Sequence, residues 1–317
     1  MSHYEKIEVI RQAGGLPAPQ NVRLLGELFQ HLESPVFQAQ ILSTVVLPGS
    51  EGQAPEFLEA ALRSTNSRIR ANAIEALSGL KGERLRASVE PLLADEDNRV
   101  RANACIYLWV SEDTRGAVKS ALEEMAESSD PWTRASAVFA AGKLLDPVLD
   151  PILVAALDDD YEPGVVAAVR GLVHRKYPHL VRRVAAFLAD PRRGTALWHA
   201  AAEALEKLSG AGPDVEDALL HALGSTGDRE LQDKLLAVLA RQESPTVSGK
   251  ALDYVERLDA GEYHLCQRLL EVIGRQGLPE HRARLEAMAG GKLALYADLV
   301  AKTVKEISRR HRRWWSL

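Results

Sequence analysis

The chain has 317 residues, 46% of them apolar and 5% aromatic, and a net charge of −5. That length supports a large buried core, and the mild acidity argues against a dedicated phosphate-binding surface, which would draw its affinity from Lys and Arg. No run approaches the roughly 18 apolar residues of a membrane span, and the stretch MSHYEKIEVIRQ puts charges where a secretory signal needs an apolar core, so the sequence reads as cytoplasmic.

One pattern then recurs along the chain. It begins at Ser34 (SPVFQAQILSTV), Asn66 (NSRIRANAIEAL), Asp97 (DNRVRANACIYL), Asp130 (DPWTRASAVFAA), Glu162 (EPGVVAAVRGLV), Gly194 (GTALWHAAAEAL), Asp228 (DRELQDKLLAVL) and Glu262 (EYHLCQRLLEVI), with a worn copy at Lys292. The intervals run from 31 to 34 residues, room for two helices of about three turns and two short connections. Ile69, Ala73, Ala76 and Leu77 fall at i, i+4, i+7 and i+8, the spacing of one buried helical face. Val100, Ala104, Tyr107 and Leu108 repeat it, as do Leu231, Leu235, Val238 and Leu239. An amphipathic first helix lies upstream of several copies, as in FLEAAL, LRASVEPLL, AVKSALEEM and LVRRVAAFL, and Pro and Gly mark the joints. A two-helix unit of this size cannot close a core alone, so neighbours must stack.

Within this register, Asn66/Arg70, Asp97/Arg101 and Asp130/Arg134 spell Asp/Asn-x-x-x-Arg-x-x-Ala. The pattern resembles the HEAT repeat, in particular the bacterial type also found in phycobilin lyase subunits. The resemblance implies an all-α, right-handed α-solenoid of about eight to nine two-helix repeats. It also implies a hydrogen-bonded ladder in which those acids, in the turn between helices, and those arginines link successive repeats. A carboxylate at a helix start satisfies free N–H groups and a guanidinium can bridge it. Elsewhere the signature decays: Val166 and Trp198 replace the Arg, Gly194 replaces the acid, and Gln232 and Cys266 depart again. The expected organisation is one solenoid over 1–305 and a basic, Trp-containing tail over 306–317.

Catalytic and metal constellations are not signalled. His174, His179 and His199 share no ligand spacing, Cys105 and Cys266 lie five repeats apart and read as core fillers, and GLKGER and GSTGDRE are turns without a preceding strand. No cofactor, no metal and no catalytic residue is expected.

Three surface features stand out. Lys143, Arg175, Lys207, Arg241, Arg275 and Lys305 recur once per repeat. They either complement helix C-termini or form a basic edge for an acidic partner. The runs at 95–97 and 158–162 are an acidic counterpart. Second-helix positions two and five beyond the ladder Arg are expected to look outward into a concave face. They are polar at Asn72 and Glu75 but apolar at Ile106 and Phe139, with Trp109, Val110 and Trp132 nearby. These aromatics are either packing or a partner-binding hot spot. Finally, residues 302–313 carry a net +5, leaving −10 for the rest. There Arg309, Arg310, Arg312 and Arg313 with Trp314 and Trp315 read as a solvated cap or as a docking element for a membrane surface, nucleic acid or protein.

The function expected is a non-enzymatic scaffold that offers its concave face to a protein partner. Two alternatives come from resemblance: a HEAT-like alkylpurine DNA glycosylase, for which Trp109, Trp132 and Asp130 supply the residue types while the acidic body opposes nucleic acid, and a bilin-lyase-like maturation factor.

Overall fold

The computed structural model describes residues 2–47, 54–173, 180–208, 212–242, 244, 246–258, 261–291 and 293–314, with side chains as far as 310. Helices make up nearly all regular structure, and no strand occurs among the described residues. Contacts divide the chain into two compact units, Met1–Gly171 and Leu172–Leu317, where the register alone predicts one array.

The first unit runs α1 (His3–Gly14), α2 (Ala18–His31), α3 (Pro35–Leu42), α4 (Glu56–Ala61), α5 (Ser67–Ala76), α6 (Glu83–Val89), α7 (Asn98–Leu108), α8 (Glu112–Ala126), α9 (Pro131–Leu144), α10 (Asp150–Ala156) and α11 (Glu162–Val173), whose end crosses the boundary. The second runs α12 (Val181–Ala189), α13 (Thr195–Leu208), α14 (Pro213–Ser225), α15 (Arg229–Ala240), α16 (Val247–Arg257), α17 (Tyr263–Gln276), α18 (His281–Ala289) and α19 (Ala297–Trp314). Within the first unit α3, α5, α7 and α9 pack in succession; within the second, α13, α15, α17 and α19 form one layer and α12, α14, α16 and α18 the other. Each unit is therefore an all-α solenoid stack.

The sequence register coincides with the helix starts for a local reason. Asn66, Asp97 and Asp228 are N-caps whose side chains accept from the second and third backbone N–H groups beyond them, and Asp130 accepts from Thr133 N. Pro35, Pro131 and Pro213 open α3, α9 and α14, where the missing N–H costs nothing. Pro91 has the opposite effect: α6 stops at Val89 and the chain continues as a 3-10 turn, Glu90–Ala94. Most of the predicted apolar faces are buried: Ile69, Ala73, Leu77, Val100, Ala104, Leu108, Leu231, Leu235, Val238 and Leu239 are all at most 2% exposed, whereas Ala76 and Tyr107 are only partly buried.

At the contact between α9 and α11, side chains disappear. A Cβ added to Gly171 would lie 2.9 Å from the Gly142 Cα, so glycine on both helices permits the contact between α9 and α11.

Two expectations are corrected. Positions two beyond the ladder Arg do not look outward: Asn72, Asn103 and Ala200 are buried. Asn72 Nδ2 donates to the Ala39 carbonyl at 2.9 Å and Asn103 Nδ2 to Ala71 at 3.1 Å, each joining a second helix to the one before it. Nor does a separate tail begin at 306, because α19 continues to Trp314 and Ile307 is fully buried.

Candidate partner-binding groove

The ladder arginines reach forward instead of to the acids that precede them. Arg70 Nε and Nη2 grip Asp95 at 2.8 and 2.7 Å, while its Nη1 donates to the Ser64 and Thr65 carbonyls. Arg134 likewise holds Asp159 at 2.7 and 2.9 Å and donates to Ser128 and Ser129. Arg101 donates to the Leu93 carbonyl and reaches Glu124 at 2.9 Å. The expected partnership of each Arg with the acid four residues before it is thus corrected: Asn66, Asp97 and Asp130 are occupied as N-caps, and the bidentate partners of Arg70 and Arg134 lie one repeat on. Burial pushes the Asp95 carboxyl up, but the hydrogen bonds from Arg70 and the Asp97 N–H outweigh it, and Asp95 stays below the usual carboxylate range. Arg134, which donates to Asp159, holds that carboxyl far below its ordinary value. The acidic runs at 95–97 and 158–162 therefore contribute their inner members to the framework and expose Glu96 and Asp160.

An open groove of about 700 Å³ lies wholly within the first unit. Its floor and walls come from the C-terminal ends of α5, α7 and α9 and from the connection between α5 and α6. Ile106, Tyr107 and Val110 line it from α7 and the turn after it, Phe139 and Lys143 from α9, and Leu80 and Lys81 from the connection. Gly79 holds φ at +97°, a left-handed turn that a side chain would strain, and so shapes that wall. Tyr107 secures it by donating its hydroxyl to the Leu80 carbonyl at 3.1 Å, and partial burial raises the phenol pKa. Glu75 accepts from Arg99 at 2.9 Å and from Asn103 at 2.8 Å, and Arg86 donates to Ser111 and Asp113 at 2.9 Å each.

The predicted cluster divides on this geometry. Ile106, Val110 and Phe139 line the groove, with Val110 60% and Phe139 47% exposed. Trp109 does not: it is 7% exposed at the C-cap of α7, with the Arg115 guanidinium 5.8 Å from its ring centroid, and is a packing residue. Trp132 is 64% exposed but stands outside the groove, tilted against Tyr161 at 5.3 Å. It precedes Phe139 by two helical turns, about 10 Å along α9. Lys81, Leu80 and Tyr107 were not among the predicted contacts. The available signal was the connection after α5, which spans residues 77–82, against 109–111 after α7.

The basic row is uneven. Lys143 sits 5.6 Å from the Phe139 ring centroid in the groove; Lys207, Arg275 and Lys305 are exposed; Arg241 pairs with Glu206 at 2.8 Å; Arg175 lies outside the described residues. At the C-terminal end, Arg309 is exposed and Arg310 donates to the Arg275 carbonyl in the last turn of α17. Arg312, Arg313 and Trp314 belong to α19 by backbone, their side chains lying outside the described set together with Trp315. Asp130, wanted free by a glycosylase-like reading, instead accepts from the Thr133 N–H and hydroxyl at 2.9 and 2.6 Å. Cys105 and Cys266 are buried free thiols, pushed by burial up to about 12 and about 11. No group of three or more His, Cys, Asp or Glu is placed to hold a metal, and no helix is long and apolar enough to cross a membrane, among the described residues.

Stacked helical hairpins joined by forward-reaching arginines define an α-solenoid of the repeat class. The family model described as HEAT repeats matches residues 25–109 and 86–172, so this part of the chain is built of HEAT repeats. No curated protein sequence matches it. Among solved structures it is similar to YibA of Escherichia coli, at 15% identity and TM-score 0.55, over 81% of this chain and 93% of that one. It is also similar to Kap121p bound to Ste12p, at 12% identity and TM-score 0.51, over 96% of this chain and 36% of that one. The CpcE–CpcF complex of phycocyanin lyase from Nostoc matches at 18% identity and TM-score 0.40, over 81% and 95%. At these identities the likeness concerns the fold.

Proposed function

We propose that this protein is a non-enzymatic interaction scaffold that holds a segment of a protein partner in the groove of its first unit. One observation carries the reading: Ile106, Val110 and Phe139 present an apolar surface to an open groove of about 700 Å³, built on packed helix ends. Exposed apolar and aromatic side chains in a groove are the material of binding hot spots, whereas those needed for packing are buried, as Trp109 is. Kap121p, a solenoid of similar fold, is itself solved with Ste12p bound. In this reading the protein is cytoplasmic, which suits two cysteines that are free and buried.

The test is selection of displayed random peptides on the intact protein, followed by affinity measurement on Phe139→Asp. The reading expects selected peptides to lose about 2 kcal/mol or more of binding, roughly thirtyfold, with melting unchanged. Peptides that bind wild type and variant equally would place the interaction elsewhere.

A further inference from the structure

We infer that the segment held in this groove is acidic and amphipathic: one or two large apolar side chains flanked by Asp or Glu. The inference rests on the groove being the partner site and adds the partner's chemistry.

The charges around the rim are not equally available. Glu75 is tied to Arg99 and Asn103, and Arg86 to Asp113 and Ser111. Glu83, the other acid of the rim, stands 3.8 Å from Arg86. Lys81 and Lys143 are exposed and, among the described residues, meet no carboxylate. Lys143 rests instead beside the Phe139 ring, 5.6 Å from its centroid. An incoming carboxylate therefore finds two ammonium groups at the rim, whereas an incoming cation finds Glu75 already engaged and the exposed Glu83 beside the Arg86 guanidinium. The C-terminal dipoles of α5, α7 and α9 oppose this charge only weakly. Their effect falls off within the last turn, while an ammonium on a four-carbon stem swings beyond it into solvent.

Shape argues for a chain segment. The groove runs along the ends of three successive second helices, which at packing distances of about 8–10 Å span roughly 16–20 Å. That length takes five or six extended residues at about 3.3 Å each. Ile106, Val110 and Phe139 offer apolar seats along it for alternate side chains, and Lys81 and Lys143 meet the acidic flanks.

The experiment uses the full chain and three labelled 12-residue peptides sharing a Leu-x-Phe centre, whose two apolar side chains share one face of an extended chain, with Asp/Glu, Ser/Gln or Lys flanks, read by fluorescence anisotropy. The acidic peptide is expected to bind about fivefold tighter than the neutral one at low salt, the gain of two exposed ion pairs, and to lose that margin in 0.5 M salt. In Lys81→Glu/Lys143→Glu, two exposed changes whose folding is checked by melting, the order of the acidic and Lys-flanked peptides should reverse. The inference is overturned if the acidic peptide is no better than the neutral one, if its advantage survives the double variant, if no peptide binds, or if an anionic vesicle or DNA duplex competes for the groove in its place. Loss of all peptide binding in Phe139→Asp without acidic preference in wild type would leave the groove reading standing and remove only this one. Equal binding to wild type and Phe139→Asp would remove both.

Discussion

Arg70 shows how one side chain carries several connections at once. Its guanidinium pairs bidentately with a buried aspartate of the next repeat and closes two carbonyls in the turn between the helices of its own repeat. Arg70→Ala should cost about 1–3 kcal/mol, because Asp95 and those carbonyls lose their donors inside the protein. Arg68→Ala, at an exposed position of the same helix, should stay within about 0.5 kcal/mol. Asp95 and Asp159 both titrate below the ordinary carboxylate value when folded, so the native state binds fewer protons than the unfolded one through the acid range. Their contribution is present above the unfolded value of about 4 and is lost as pH falls through the folded values. The gap in melting temperature between wild type and Arg70→Ala should accordingly shrink from pH 7 towards pH 3; a constant gap would show that the pair is not the source. The two thiols, raised by burial, should react with a thiol reagent at neutral pH only after unfolding, and rapid labelling of the native protein would contradict their packing.

Between elements, the close approach of α9 and α11 is set by what is missing from side chains. Gly171→Ala should force α9 and α11 apart and cost about 1–3 kcal/mol, since its Cβ would fall 2.9 Å from a backbone atom. Gly116→Ala, exposed in α8 with nothing within 4 Å of the added Cβ, should raise stability by about 0.4–1 kcal/mol. Melting of the two variants reads both signs. Helix starts were legible in the sequence because a cap residue acts within three positions of itself, as Asn66, Asp97 and Asp228 do. Partners across repeats were not: the forward reach from Arg70 to Asp95 spans 25 residues, and nothing in spacing alone distinguishes it from a bond to Asn66. The same limit affected the groove. Periodicity marked Ile106 and Phe139 as apolar in a polar register, but it could not show that Trp109 turns inward at a C-cap or that Trp132 stands two turns from Phe139. α19 adds a caution for deletion work. Truncation before 306 removes the buried Ile307 and should lower melting, so the charge of residues 312–313 is best tested by ending the chain after Arg310.

At the scale of the molecule, each unit stacks helical layers whose ends, not whose middles, carry the distinctive surface of the first unit. Circular dichroism should report a chain almost wholly helical, in keeping with the described residues. The central claim is that a partner segment occupies the ends of α5, α7 and α9, and hydrogen–deuterium exchange of the full chain with and without the tightest selected peptide tests it most directly. Bound peptide should slow exchange over residues 78–86, 106–111 and 139–143 and leave the helices of the second unit unchanged. Protection confined to the second unit, or to the first helices on the other layer, would contradict the account.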